Sequence, residues 1–245
     1  MRHVVETMGT VASLEVPQAF ASAIPTVVAT FEEIESRFSL YRPDSELSRV
    51  ARGEMALADA SDPLIATYVR ALAWRGRTGG AFTPHRPDGV VDLNGIVKAE
   101  AIEAAGITLD SAGCTDWSIN VGGDILVRSL REDAAPIGIV DPQNRRSLLC
   151  SVVLHGSRRA LATSGSAERG DHVWLGSRRE PAEFVQVTVV ADDIVTADVL
   201  ATAIVAGGRT SLDQATEEWD IDVLAVDRSG ALVATPGLRS ALATA

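Results

Sequence analysis

Lys98 is the only lysine in a chain whose other strongly basic side chains are all arginines. It stands in Val90-Val91-Asp92-Leu93-Asn94-Gly95-Ile96-Val97-Lys98, which reads as a short apolar strand, a polar hinge at Asn94-Gly95, and an alanine-rich helix. Ile96, Ile102 and Ala105 keep the helical spacing. A strand-to-helix junction offers backbone N–H groups and the positive end of a helix dipole, so it suits an anion. An ammonium near the start of the helix adds a full charge in a compact form that a planar guanidinium does not reproduce. The competing reading is one lysine left by chance in an arginine-biased composition. A second pair, Asp198 and Thr202, falls in Thr196-Ala197-Asp198-Val199-Leu200-Ala201-Thr202. On a helix these are i and i+4, which puts a carboxylate and a hydroxyl on one face. Two hard oxygens so placed suit Mg²⁺, which keeps several waters and takes further ligands from phosphates and carbonyls. The same spacing also fits an Asp near a helix N-terminus and a Thr bonded back to a carbonyl, and on spacing alone that reading is the simpler.

These residues need elements to hold them. Val11, Ser13 and Glu15 alternate with Ala12, Leu14 and Val16, which argues a half-buried strand after a glycine turn in the opening Val4-Val5-Glu6-Thr7-Met8-Gly9-Thr10. Residues 18–39 carry Phe20, Ile24, Val27, Phe31, Ile34 and Phe38 at three- and four-residue steps, a long amphipathic helix that Pro25 either kinks or starts. Tyr41 follows in a loop turning at Arg42-Pro43-Asp44, where it can stack on a planar ligand or cover the edge of the core. A helix from Asp62, with Pro63 at its first position, presents Leu64, Ile65, Tyr68, Val69 and Leu72 and ends near Gly79-Gly80. Residues 81–85 read as an extended loop. Residues 117–127 read as a strand in which Gly122 and Gly123 mark a bulge or a close backbone approach. Short strands are predicted at 137–140, 148–154, 159–163 and 184–190. A polar helix follows at 211–218, then a hairpin from 221–226 and 231–235. This order predicts an α+β fold, a largely antiparallel sheet flanked by helices, in a single domain spanning 1–245.

Composition narrows the partners. A net charge of −11 opposes nucleic acid and anionic membranes, both of which are met with basic patches. No apolar run approaches the roughly 18 residues of a membrane span, and Met1-Arg2-His3-Val4-Val5-Glu6 does not begin a secretory signal. The expectation is a cytoplasmic protein without membrane insertion. Cys114 and Cys150 form no C-x-x-C spacing and read as structural thiols. A phosphate ligand would have to be held locally, by one cation, a metal or backbone N–H groups.

The chain as a whole resembles the ApbE-type FAD:protein FMN transferases, through motifs that occur in the family's order from Met8 to Gly208. Met8-Gly9-Thr10 resembles the opening M-G-T, and Phe38-Ser39-Leu40-Tyr41-Arg42-Pro43-Asp44-Ser45-Glu46-Leu47-Ser48 is similar to F-S-x-Y-x-x-x-S-x-L-S. Gly80-Ala81-Phe82 matches G-x-F-D without its acid, and Asp92 to Lys98 matches D-[LF]-x-[GA]-[IV]-x-K. Asn120-Val121-Gly122-Gly123-Asp124, Thr163-Ser164-Gly165 and the segment around Asp198 and Thr202 complete the set. The resemblance implies FAD as substrate, Mg²⁺ at its pyrophosphate, and transfer of FMN to a threonine of an acceptor protein with release of AMP. Some members instead hydrolyse FAD to FMN and AMP. It further implies Asp198, Thr202 and the Gly95 carbonyl as metal ligands, FAD contacts from Met8, Tyr41, Ala81, Phe82, Thr83, Asp92, Lys98 and Val173, and catalytic roles for His172 and Lys98.

The departures from the pattern fall on the flavin and acceptor side. Thr83 stands where the acid of G-x-F-D belongs, His172-Val173-Trp174-Leu175-Gly176 lacks the Asp-Pro of H-I-I-D-P, and Ser166-Ala167 replaces the aromatic after T-S-G. Ala99 also stands where a glycine would follow the lysine. FAD and Mg²⁺ binding are therefore better supported than flavinylation, and a flavin-binding protein with little catalysis is a third reading. The chain carries no D-G-x-[ST]-G-A-T acceptor stretch, so the expected acceptor is another protein.

Overall fold

The computed structural model describes residues 1–129, 136–165 and 182–241. Strands β1 (Arg2–Thr7), β2 (Thr10–Glu15), β3 (Trp117–Val121), β4 (Asp124–Arg128), β7 (Ala160–Gly165), β8 (Phe184–Ala191), β9 (Asp222–Asp227) and β10 (Leu232–Ala234) make one antiparallel sheet in that spatial order. Strands β5 (Ile137–Val140) and β6 (Leu148–Val152) pair separately as a two-stranded arm. Among the described residues six α-helices accompany them: α1 (Ile24–Phe38), α2 (Glu46–Ala51), α3 (Asp62–Arg77), α4 (Asn94–Ser111), α5 (Ile194–Glu218) and α6 (Pro236–Ala241). The α+β expectation is met.

The middle strands read as near-continuous apolar runs because both of their faces are covered. Ala160, Ala162, Val187, Val189, Val223 and Ala225 point into the main core, whereas the intervening Leu161, Val190 and Leu224 join a second cluster with Ile139, Val152 and Leu238. Alternate side chains of a strand lie on opposite faces, so the helical layer covers one side while the β5–β6 arm and α6 cover the other. On the helical side α5 packs on β7 and β8, α4 packs on α5 and β3, and α1 packs on α4. A glycine lets α4 lie close against the sheet. A Cβ on Gly106 would lie 2.7 Å from the Trp117 ring.

Several local expectations are corrected. Residues 90–92 form no strand; Val91 makes one isolated bridge to His85, and the helix begins at Asn94, whose N–H is accepted by Asp92 Oδ1 at 2.9 Å. Gly122 and Gly123 are the two-residue turn of a β3–β4 hairpin, with φ of 60° and 98°, rather than a bulge. Positive φ at both turn positions matches the twist of the flanking strands and calls for glycine. Pro25 starts α1 instead of kinking a longer helix, since residues 18–23 are 3₁₀. In α3 the buried stripe is Leu64, Thr67, Ala71 and Trp74, which leaves Val69 57 % exposed. The polar helix at 211–218 is the continuation of α5 beyond a kink at Gly208 (φ 65°). No helix among the described residues is long and apolar enough to cross a membrane.

Candidate active site

A cavity of about 950 Å³ opens where the β1–β2 turn, the loop after α1 and the start of α4 converge. Each wall has a local cause. Met8 and Gly9 form the tight turn between β1 and β2, with φ of 52° and 70°. Glu35 of α1 holds that turn, its Oε2 accepting the Met8 N–H at 3.1 Å and the Thr7 hydroxyl at 3.4 Å.

The next wall is the serine-rich loop, and its spacing has a structural reason. Ser39 Oγ accepts the N–H groups of Tyr41 (3.1 Å) and Arg42 (3.2 Å), while the Ser39 carbonyl accepts the hydroxyls of Ser45 and Ser48. Ser45 in turn caps α2 by accepting the Ser48 N–H at 3.0 Å. This network fixes a loop whose tip, Tyr41, lines the cavity and is 73 % exposed. Beside it the Arg42 guanidinium is raised above its ordinary pKa, first by its hydrogen bond to Asp44.

The third wall carries the start of α4. Gly95 passes so close to Phe82 that a Cβ would lie 2.9 Å from the ring, which explains a glycine inside a helix's first turn. Phe82, Thr83, Asp92, Asn94, Gly95 and Lys98 all line the cavity. Lys98 Nζ is paired with the fully buried carboxylate of Asp124, from the β3–β4 hairpin, and Asp124 Oδ1 also accepts the Thr163 N–H at 3.1 Å. The cation of this wall is thus set in place from behind.

Thr163 and Thr202 form the remaining side, with Arg145 reaching in from the arm. The Thr202 hydroxyl lies 3.0 Å from that of buried Ser164 on β7. Asp198, one turn earlier on α5, is fully buried. Of the residues expected at the site, the structure brings Met8, Tyr41, Phe82, Thr83, Asp92, Gly95, Lys98 and Thr202 to one cavity. Asp198 is fully buried and does not line the cavity, nor does Ala81, which packs by Gly207. His172 and Val173 lie outside the described residues.

Glu35, Asp124, Ser164 and Arg145 were not singled out from the sequence. Asp124 and Ser164 stood in quoted motifs with no signal of what they would touch. Glu35 and Arg145 carried no signal beyond being polar.

The oxygens here fit Mg²⁺ rather than a softer metal. Among the described residues no group of three His, Cys, Asp or Glu could hold an ion. Thr202 and Gly95 line the cavity and Asp198 is buried one helical turn before Thr202; a carboxylate, a hydroxyl and a backbone carbonyl are the hard-oxygen donors that Mg²⁺ combines with phosphate and water.

A cavity of this size, with an ammonium, an exposed aromatic ring and oxygen donors in its walls, is large enough for a nucleotide-sized ligand. The sequence matches the ApbE family over residues 8–88 and 83–225. It is 26 % identical to an FAD:protein FMN transferase of Vibrio cholerae, over 90 % of this chain and 85 % of that one. Its fold matches the flavin transferase ApbE of the same organism at a TM-score of 0.77, with 22 % identity and 99 % of both chains covered. It also matches the ApbE protein of Thermotoga maritima at 0.82, with 19 % identity over 100 % of this chain and 99 % of that one. The chain belongs to the ApbE family.

Proposed function

We propose that residues 1–245 act as one domain, an FAD:protein FMN transferase. It would bind FAD in the 950 Å³ cavity and move the FMN half to a threonine of an acceptor protein, with AMP leaving. The observation that carries this reading is the convergence of Lys98, Gly95, Thr202 and Tyr41 on one cavity. Kinship with a named FAD:protein FMN transferase supports it.

In this reading the threonine Oγ attacks the FMN phosphorus, the P–O bond to AMP breaks, and AMP departs with the bridging oxygen. The hydroxyl proton passes to a base, for which His172 is the candidate, since a neutral imidazole accepts a proton near pH 7. Lys98, steadied by Asp124, would stabilise negative charge on the leaving phosphate from a fixed position, which is worth more than a mobile cation because no reorganisation is needed. Tyr41 would stack on a flavin or adenine ring. Asp198, Thr202 and the Gly95 carbonyl would hold Mg²⁺, which would supply charge neutralisation at the pyrophosphate. With water in place of the threonine the same machinery yields FMN and AMP, a reading favoured by Thr83 standing where the family carries an acid. A cytoplasmic location follows the sequence expectation.

The test is incubation with FAD, Mg²⁺ and a total protein extract, followed by denaturing electrophoresis read by flavin fluorescence. A fluorescent band that survives denaturation and needs the active chain is expected. AMP and free FMN without any labelled band would establish the hydrolase instead.

A further inference from the structure

Glu35 places a carboxylate in the wall of a cavity that, on the reading above, receives a pyrophosphate. Like charges repel, so electrostatics alone would disfavour it there. Its contacts show another use. Oε2 accepts the Met8 N–H at 3.1 Å and the Thr7 hydroxyl at 3.4 Å, tying the β1–β2 turn to α1. Met8 is the one non-glycine among the described residues with positive φ, at 52°, a conformation rare for a bulky side chain. The turn has only Met8 and Gly9 between the paired Thr7 and Thr10, so Met8 cannot relax without disturbing the hairpin.

We propose that Glu35 is a positioning residue for the dinucleotide. By accepting the Met8 N–H it holds the turn in its left-handed form and so sets the Met8 side chain against a planar ring of the ligand, where a thioether packs favourably. The inference rests on the cavity being the FAD site. It makes the opposite prediction to a purely electrostatic role, because deleting a mere negative charge would tighten an anionic ligand.

The test titrates FAD fluorescence with Mg²⁺ present against wild type, Glu35→Ala, Glu35→Gln and Glu35→Asp, with FMN and AMP titrated separately. Thermal unfolding checks that each variant is folded. Glu35→Ala should bind FAD at least fivefold more weakly, and its effect on turnover should fall on KM for FAD more than on kcat. Glu35→Gln keeps an acceptor oxygen at the same reach and should bind like wild type or more tightly. Glu35→Asp is one methylene short and should lose affinity, and it carries the test if Glu35→Ala does not fold. The half-ligand that loses affinity, FMN or AMP, identifies the ring against Met8. Wild-type affinity in Glu35→Ala or Glu35→Asp, or an equal loss in Glu35→Gln, overturns the inference while leaving the FAD site standing. No FAD binding by wild type overturns both.

Discussion

Lys98 Nζ is paired with the carboxylate of Asp124, and the two side chains are 16 % and 0 % exposed. The single lysine of the chain is therefore held as one half of an ion pair built across the α4 start and the β3–β4 hairpin. Removing its ammonium leaves a buried carboxylate without its cation, which typically costs about 3–5 kcal/mol. Lys98→Met should lower stability by about that amount in urea unfolding and also weaken FAD by about 1.5–3 kcal/mol, the range for a hydrogen bond to a charged group. Lys98→Arg should recover part of both. A Lys98→Met protein within about 0.5 kcal/mol of wild type would show that the pair contributes nothing.

A metal held by Asp198 and Thr202 would have one protein charge and would depend on phosphate for the rest. Mg²⁺ should bind weakly alone and more tightly with FAD present, as calorimetry can follow. Thr202→Val deletes an oxygen while keeping shape, so it should abolish Mg²⁺-dependent turnover. It also removes the partner of the buried Ser164 hydroxyl, 3.0 Å away, at a stability cost of about 1–3 kcal/mol. Thr202→Ser should retain both. Asp198→Ala should lose turnover as well, and unchanged FAD turnover in Asp198→Ala and Thr202→Val together would remove the metal assignment.

Tyr41 is anchored through its backbone by Ser39, yet its ring is largely exposed. Tyr41→Ala should leave stability within about 0.5 kcal/mol, as for surface positions. The lost stacking should weaken FAD by about 0.5–1.5 kcal/mol, visible in the same fluorescence titration. Weakening without loss of stability separates a stacking ring from one that covers the core.

His172→Asn should lower turnover by roughly a hundredfold or more with FAD affinity little changed, if the imidazole takes the threonine proton. Single-turnover kinetics at saturating FAD would measure this. Equal turnover in the two proteins would remove His172 as the base.

The strands were legible wherever alternation or short apolar runs between turn residues marked them, and the antiparallel order followed. What one-dimensional pattern could not show was which side of α3 met the core, because Thr67 and Ala71 give weaker apolar signals than the exposed Val69. Nor could it show that Gly122-Gly123 closes a hairpin, since a bulge and a two-residue turn leave the same glycines in the sequence. At the site, Asp92, Gly95 and Lys98, close in sequence, line one cavity. Relationships across the fold were not, because Lys98 and Asp124, Ser164 and Thr202, and Met8 and Glu35 lie 26 or more positions apart and meet only once the sheet is assembled.

The most direct test of the central claim is the release of AMP from FAD, measured by chromatography with wild type and Thr202→Val, each with Mg²⁺ or with a chelator. AMP should appear only with wild type and Mg²⁺, matched by FMN either free or bound to the acceptor. Intact FAD in every reaction, with FAD bound to wild type at saturation, would contradict the account and leave a flavin-binding protein on a transferase fold.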